Sequence, residues 1–266
     1  MKRTIVLLCM AVGIAAVTAG SLYYALKYTG KAIADPPERM ITPTPAPEDS
    51  AIKIVKHGTS QYAYAFFVVS DPTSLSLIPN FSRPEDAESL VAKAGCISAI
   101  NGGFYDKANR PLGYFATNGT MYGPQIKSDL VNGFLWAQAS SSAVISTNLP
   151  NADYRFALQT GPILMFDGNV LPLSINNDST ARRMVAARSM DNRMVFVAIF
   201  NENSVYDGPL LTDVPAIIQA VSEKENLHIA DAINLDGGSA SAFYSGNTRL
   251  SELTPVGSIF CVQKHN

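Results

Sequence analysis

The sequence predicts an α+β fold: a mixed, mostly antiparallel sheet core with a few packed helices, forming a single exported domain. Three observations predict it. Short apolar runs bounded by Gly, Pro, Asn and Asp outnumber helical stripes throughout residues 51–266. The segments with helical period each lead into an apolar strand. Both of those strands end in the same grammar, Asn followed by Gly-Gly or by an Asp-Gly-Gly run: A-I-N-G-G-F-Y-D at 99–106 and A-I-N-L-D-G-G-S at 232–239.

Composition narrows the chemistry. The 266 residues are 47% hydrophobic and 16% charged, ordinary globular material with one added apolar segment. A net charge of −2 offers no basic surface, so nucleic acid is excluded as a partner class. The three histidines, His57, His228 and His265, are too widely spaced for a zinc cage or an H-E-x-x-H site. No G-x-G-x-x-G and no P-loop occurs, so dinucleotide or nucleotide binding has no support. Carboxylates, amides, hydroxyls, tyrosines and arginines remain.

Lys2 and Arg3 precede 23 uncharged residues, 4–26, against the ~20 needed to span a bilayer. Residues 1–31 therefore read as a membrane anchor or, with V-T-A at 17–19 before Gly20, as a cleavable signal. Cys9 lacks the small preceding residue of a lipoprotein site. Either reading places the rest of the chain outside the cytoplasm, with the membrane as a partner through the N-terminal segment. Residues 32–50 are rich in proline and acid, an extended linker with nothing to bury. The folded unit spans 51–266.

Residues 62–69 (Y-A-Y-A-F-F-V-V) and 75–78 read as strands. Ser82, Pro84 and Glu85 predict a helix start with Ser82 as cap, and Ala87, Leu90, Val91 and Ala94 repeat at helical spacing before Gly95 closes it. Residues 96–100 form the strand that delivers Asn101-Gly102-Gly103. Short strands follow at 113–115, 134–137, 143–146, 154–158 and 163–166, with hairpin signals at Asn118-Gly119 and Asp167-Gly168. Residues 184–187 read as a strand of small and apolar residues, and 194–200 (M-V-F-V-A-I-F) as a strand buried on both faces. Thr212 or Asp213 caps a helix with Pro215 in its first turn and Val214, Ile217, Ile218 and Val221 as its apolar stripe. Residues 231–235 carry the second motif, and 256–262 close the sheet. Cys96 and Cys261, both in strand contexts, either pair or stay as buried thiols.

The two Asn-Gly stretches read as walls of one site. A carboxylate at a strand end, Asp236, is drawn toward a high pKa by burial and a low one by adjacent N–H donors, a tension common at catalytic carboxylates. The plainer reading is a turn cap. Asp106 is a second carboxylate or a loop residue, and Arg183 a surface cation or a phosphate clamp. Gly237-Gly238-Ser239 approaches a nucleophile elbow but ends in Ser241 rather than glycine.

These motifs, with Q-T-G-P-I-L at 159–164 and R-M-V-A-A at 183–187, resemble the phosphodiester glycosidase family in the same order over residues 62–262. Ser239 stands where the family usually has a third glycine, and Met184 and Ala187 where it has threonine and glycine. The resemblance implies hydrolysis of a sugar-1-phosphodiester, such as an N-acetylglucosamine phosphodiester, on its glycosidic side. It implies Asp236, Arg183 and Asp106 as catalytic residues. It implies Asn101, Gly102, Gly103, Gly161, Asn234, Gly237, Gly238 and Ser239 as the substrate-binding set, with the Gly237 and Gly238 N–H groups near the departing phosphate oxygens. The partner is a carbohydrate or sugar phosphate. No cofactor is demanded, although Asp106 and Asp236 could share a divalent cation. The other reading is a non-catalytic, envelope-anchored sugar-phosphate binder.

Overall fold

Three antiparallel sheets surround one apolar interior in the computed structural model, which describes residues 51–264. The strands are β1 (Lys53–His57), β2 (Ser60–Val69), β3 (Leu75–Pro79), β4 (Cys96–Asn101), β5 (Phe115–Thr117) and β6 (Thr120–Gly123). They continue as β7 (Gly133–Ala137), β8 (Val144–Ser146), β9 (Phe156–Thr160), β10 (Ile163–Phe166), β11 (Asn169–Val170) and β12 (Arg183–Ser189). The last are β13 (Met194–Asn201), β14 (Ile229–Asn234), β15 (Phe243–Ser245), β16 (Thr248–Leu250) and β17 (Ser258–Gln263). Two short helices, α1 (Ala87–Ala94) and α2 (Val214–Lys224), complete the set.

The first sheet runs β1-β2-β13-β12-β14-β10-β11, the second β16-β15-β4-β17-β3 and the third β6-β5-β9-β7-β8. The ladders among the described residues are antiparallel, so the expectation of a mixed sheet gives way to an antiparallel, mainly β architecture. Strand alternation explains the layering. On β12, Met184 and Ala186 face the shared interior while Val185 and Ala187 face α2. Phe67, Phe196, Phe243 and Phe260 join the first two sheets, with ring centroids 5.2–5.4 Å apart. As expected, β13 is buried on both faces: its inner residues meet that interior and Val195, Val197 and Ile199 meet α2. Helix α2 covers the outer face of the first sheet with Val214, Ile217, Ile218 and Val221, each burial contributing about 1.5–3 kcal/mol. Helix α1 covers the second sheet with Ala87, Leu90, Val91 and Ala94.

Both expected hairpins form, because Asn118-Gly119 (φ 50° and 74°) and Asp167-Gly168 (φ 49° and 77°) supply the two left-handed residues that such turns need. The helix starts differ from expectation. Asp86, not Ser82, caps α1, accepting the Ser89 N–H at 2.7 Å. The cause is Asn80, whose amide binds both the N–H and the carbonyl of Glu85 and holds that segment as a turn. Asp213 precedes α2 without capping it. Asp178, from the loop before β12, accepts the N–H groups of Leu211 and Thr212 instead.

Cys96 and Cys261 are disulfide-bonded across β4 and β17, with Cα atoms 5.4 Å apart. The expectations for residues 1–31, the linker at 32–50, Cys9 and His265 lie outside the described residues. Among the described residues, no helix is long and apolar enough to cross a membrane.

Candidate active site

The ends of β4 and β14 meet at one edge, where the hydrogen bonds of one amide side chain splint both walls. Asn101 Nδ2 donates to the Asp236 carbonyl (2.8 Å) and the Gly102 carbonyl (3.1 Å), and its Oδ1 accepts the Ala242 N–H (3.0 Å). The Asp236 N–H donates back to the Gly102 carbonyl at 3.0 Å. This follows from topology. The loop 235–242 must cross from β14 in the first sheet to β15, the neighbour of β4 in the second, and its buried backbone groups need partners.

The glycines are there because other chain passes close by. A Cβ on Gly102 would stand 2.2 Å from Ser258 Oγ, and one on Gly103 2.9 Å from Leu158. On Gly161 (φ +152°, with a cis bond to Pro162) it would stand 2.4 Å from the Leu130 carbonyl. The Gly161 carbonyl accepts Asn234 Nδ2 at 3.0 Å, which fixes the amide orientation. Asn234 is only 3% exposed, and its Oδ1 is a buried acceptor without a partner.

Asp236 follows, partly buried. Burial raises its carboxyl to about 7, against the opposing pull of the Gly237 N–H, which it accepts at 2.9 Å. The Tyr105 phenol lies close enough to feel it. Burial raises the phenol first, the charges of Asp236 and Glu252 add to this, and a hydrogen bond with Thr254 opposes them. Tyr105 packs on Gly257 and donates to the Pro255 carbonyl at 2.5 Å.

The remaining expected groups are engaged in the fold itself. The Gly237 N–H is taken by Asp236 and the Gly238 N–H by the Arg182 carbonyl (2.9 Å). Arg183 donates through Nε to the Pro209 carbonyl (3.0 Å) and through Nη2 to the Ser179 carbonyl and Asp178 (3.4 Å), while Nη1 donates to none of the described residues. Asp106 closes its own turn, accepting the Ala108 and Arg110 N–H groups and a bidentate Arg110 guanidinium, which holds its carboxyl below the usual range. Among the described residues no group of three or more His, Cys, Asp and Glu gathers for a metal. Ser239 is exposed and its hydroxyl meets Thr254 at 3.4 Å, whereas His228 lies before the opposite end of β14, so no triad forms with it.

Sequence reasoning passed over Arg182. Its guanidinium is wholly buried, donating to Ser241 Oγ (2.8 Å) and to the carbonyls of Ser241, Val205 (3.1 Å) and Ser251 (2.8 Å). Burial lowers it to about 10. The signal was present: consecutive residues entering a strand take opposite faces, so Arg182 and Arg183 cannot share one role. Gln159, in the Q-T-G-P segment, was also passed over. Both of its amide atoms are used, on Tyr114, Ile126 and Val131.

Among the described residues, antiparallel sheets hold a half-buried carboxyl between two Asn-Gly walls. The phosphodiester glycosidase family model matches residues 94–263, well over half of the chain, and the chain belongs to that family. Its fold is similar to the zebrafish N-acetylglucosamine-1-phosphodiester alpha-N-acetylglucosaminidase catalytic domain auto-inhibited by pro-peptide (TM-score 0.63, 13% identity, 84% of this chain and 85% of that one). It is also similar to a hypothetical protein from Synechocystis (TM-score 0.51, 14% identity, 79% of this chain and 61% of that one). No curated protein matches the sequence significantly.

Proposed function

We propose that the chain hydrolyses a sugar-1-phosphodiester on its glycosidic side, with Asp236 as the reacting carboxylate. The observation that carries this is a carboxyl held near neutrality at the junction of the two walls. Family membership supports the hydrolase class, and the name of the zebrafish enzyme supports an N-acetylglucosamine phosphodiester as the first substrate to test.

A phosphomonoester leaves readily, so strong protonation of the leaving oxygen matters less than in ordinary glycoside hydrolysis. The Asp236 carboxylate takes a proton from water as the water oxygen bonds to the anomeric carbon. The bond from that carbon to the phosphate oxygen breaks, its electron pair leaving with the phosphomonoester. Asn234 supports the wall from beneath, its Nδ2 holding the Gly161 carbonyl at 3.0 Å. Arg183, tied to Pro209, Ser179 and Asp178, braces the loop before β12. Gly237, Gly238 and Ser239 shape the loop, and Asp106 with Arg110 holds the rim beside Tyr105.

Release of free sugar from an N-acetylglucosamine phosphodiester by the full-length chain, abolished in Asp236→Asn, tests the reading; full turnover in that variant sinks it. The second reading, a non-catalytic envelope binder, is favoured by the internal engagement of the Gly237 and Gly238 N–H groups, and predicts binding without release. We also place the domain outside the cytoplasm, anchored by residues 1–31 or released after cleavage. The Cys96–Cys261 disulfide supports an oxidising compartment. A C-terminal reporter active only outside the cytoplasm would stay silent if this were wrong.

A further inference from the structure

A helix about 10 Å wide covers roughly two strands of a sheet, since strands lie about 4.8 Å apart. Helix α1 packs over β4 and β17, so the β15-β16 hairpin at the edge of the second sheet keeps part of its outer face uncovered. The step between helix and hairpin is a cavity of about 450 Å³. Its lining includes Glu88 and Val91 from α1, Cys96 and Ile97 from β4, and Tyr244 and Arg249 from the hairpin. Small-ligand sites typically measure about 300–1,000 Å³. The cavity is separate from the candidate active site, because Ile97 precedes Asn101 on β4 by about 13 Å of strand.

Strand alternation assembles it. Phe243 and Leu250 point into the shared interior, which turns Tyr244 and its register partner Arg249 to the α1 side. Ile97 shares that face with Ala99. The frame is fixed: the Cys96–Cys261 disulfide ties β4 to β17, and Gln263 Nε2 donates to the Ala94 carbonyl at the end of α1 (2.8 Å). A cavity held this way exists before a ligand arrives, so ordering it adds little to the cost of binding.

Its charges select the ligand. The Arg249 guanidinium lies over the Tyr244 ring, 5.9 Å from the centroid, while Glu88 stands on the other wall in the first turn of α1. Among the described residues neither has an ion-pair partner, and the two do not pair with each other. Val91 and Ile97 supply apolar surface, Ile97 being 58% exposed. A carboxylate, a guanidinium and an apolar surface in one cavity complement a molecule with an ammonium, a carboxylate and an apolar side chain. A phosphate would meet Glu88 as a like charge, and a neutral sugar would leave both charges without a counter-ion.

We propose that this cavity is a second ligand site, independent of hydrolysis, for a small apolar zwitterion: an amino acid or dipeptide with free α-ammonium and α-carboxylate groups. Arg249 holds the carboxylate through its guanidinium fork, Glu88 accepts from the ammonium, and Val91 with Ile97 covers the side chain.

The test is saturation-transfer NMR on the full-length protein with L-leucine and L-leucyl-L-leucine. N-acetyl-L-leucine, without the ammonium, and L-leucinamide, without the carboxylate, are the comparison probes. The variants are Arg249→Gln and Glu88→Gln, both at exposed positions outside the candidate active site, so unchanged melting temperatures are expected. Saturable transfer to at least one zwitterion, with Kd raised about tenfold in each variant, is the expected result. The losses should also be selective: Glu88→Gln leaves N-acetyl-L-leucine binding as it was, and Arg249→Gln leaves L-leucinamide binding as it was. Whichever zwitterion binds more tightly identifies the source, a free amino acid or a peptide. No saturable transfer to either zwitterion at millimolar concentration, equal binding of all four probes, or binding undiminished in the variants overturns the site. None of these readouts is sugar release, so failure of the hydrolase reading would leave this site standing.

Discussion

Asp236 sits where a strand end leaves water, and burial lifts its carboxyl from 3.8 to about 7 because the ionised form loses hydration that one Gly237 N–H does not replace. The folded state therefore favours the protonated acid. Relative stability is greatest below the unfolded value, declines as pH rises from about 4 to 7, and levels off above. The displacement corresponds to at most about 4 kcal/mol. Asp236→Asn is expected to raise the melting temperature at pH 8 and to lose that advantage toward pH 4. An equal effect at both pH values would mean a solvated carboxylate. If the ionised form is the base, kcat/KM on a competent substrate rises with pH up to about 7 and then flattens; a falling profile would assign it the acid role instead. Nothing local in N-L-D-G-G-S separates this carboxyl from a turn cap, since its environment is supplied by Gly102, Asn101 and Tyr105 from far upstream.

At the scale of elements, the walls depend on strands approaching closer than a side chain allows. Gly102 is the tightest case, with Ser258 Oγ 2.2 Å and Ser258 Cβ 3.3 Å from where its Cβ would sit. Gly102→Ala is expected to destabilise the protein by about 1–3 kcal/mol through overpacking. Ser258→Ala removes the closer atom and a buried hydroxyl with no partner, so on its own it is near neutral. The double variant should recover much of the loss, and strict additivity in denaturant titrations would show that the clash is not the cause. Strands, hairpins and both helical stripes were legible because hydrophobic period and left-handed turn residues act within a few positions. Helix starts were less so, because Asn80 and Asp178 act across sequence or from another loop and override the local capping signals.

For the whole molecule, the Cys96–Cys261 bond closes a sequence separation of 165 residues around the second sheet. By the chain-entropy relation it stabilises the fold by at most about 5 kcal/mol. Cys96→Ser with Cys261→Ser should lower the denaturation midpoint, and the native protein should resist alkylation until a reductant is added. Alkylation without reductant would disprove the pairing. The sequence by itself determined the strand-rich class, the helices that lead into β4 and β14, the paired Asn-Gly motifs and the family, since all of these are written in local period and motif order. Only the tertiary structure decided which groups remain for chemistry. Asn101 became a splint, Asp106 a turn closure and the Gly237 and Gly238 N–H groups internal donors, whereas Asn234 kept an unpartnered oxygen and Asp236 a carboxyl near neutrality. Hydrogen-bond satisfaction and desolvation are set by neighbours distant in the chain, and neither has a signature in the residue's own surroundings.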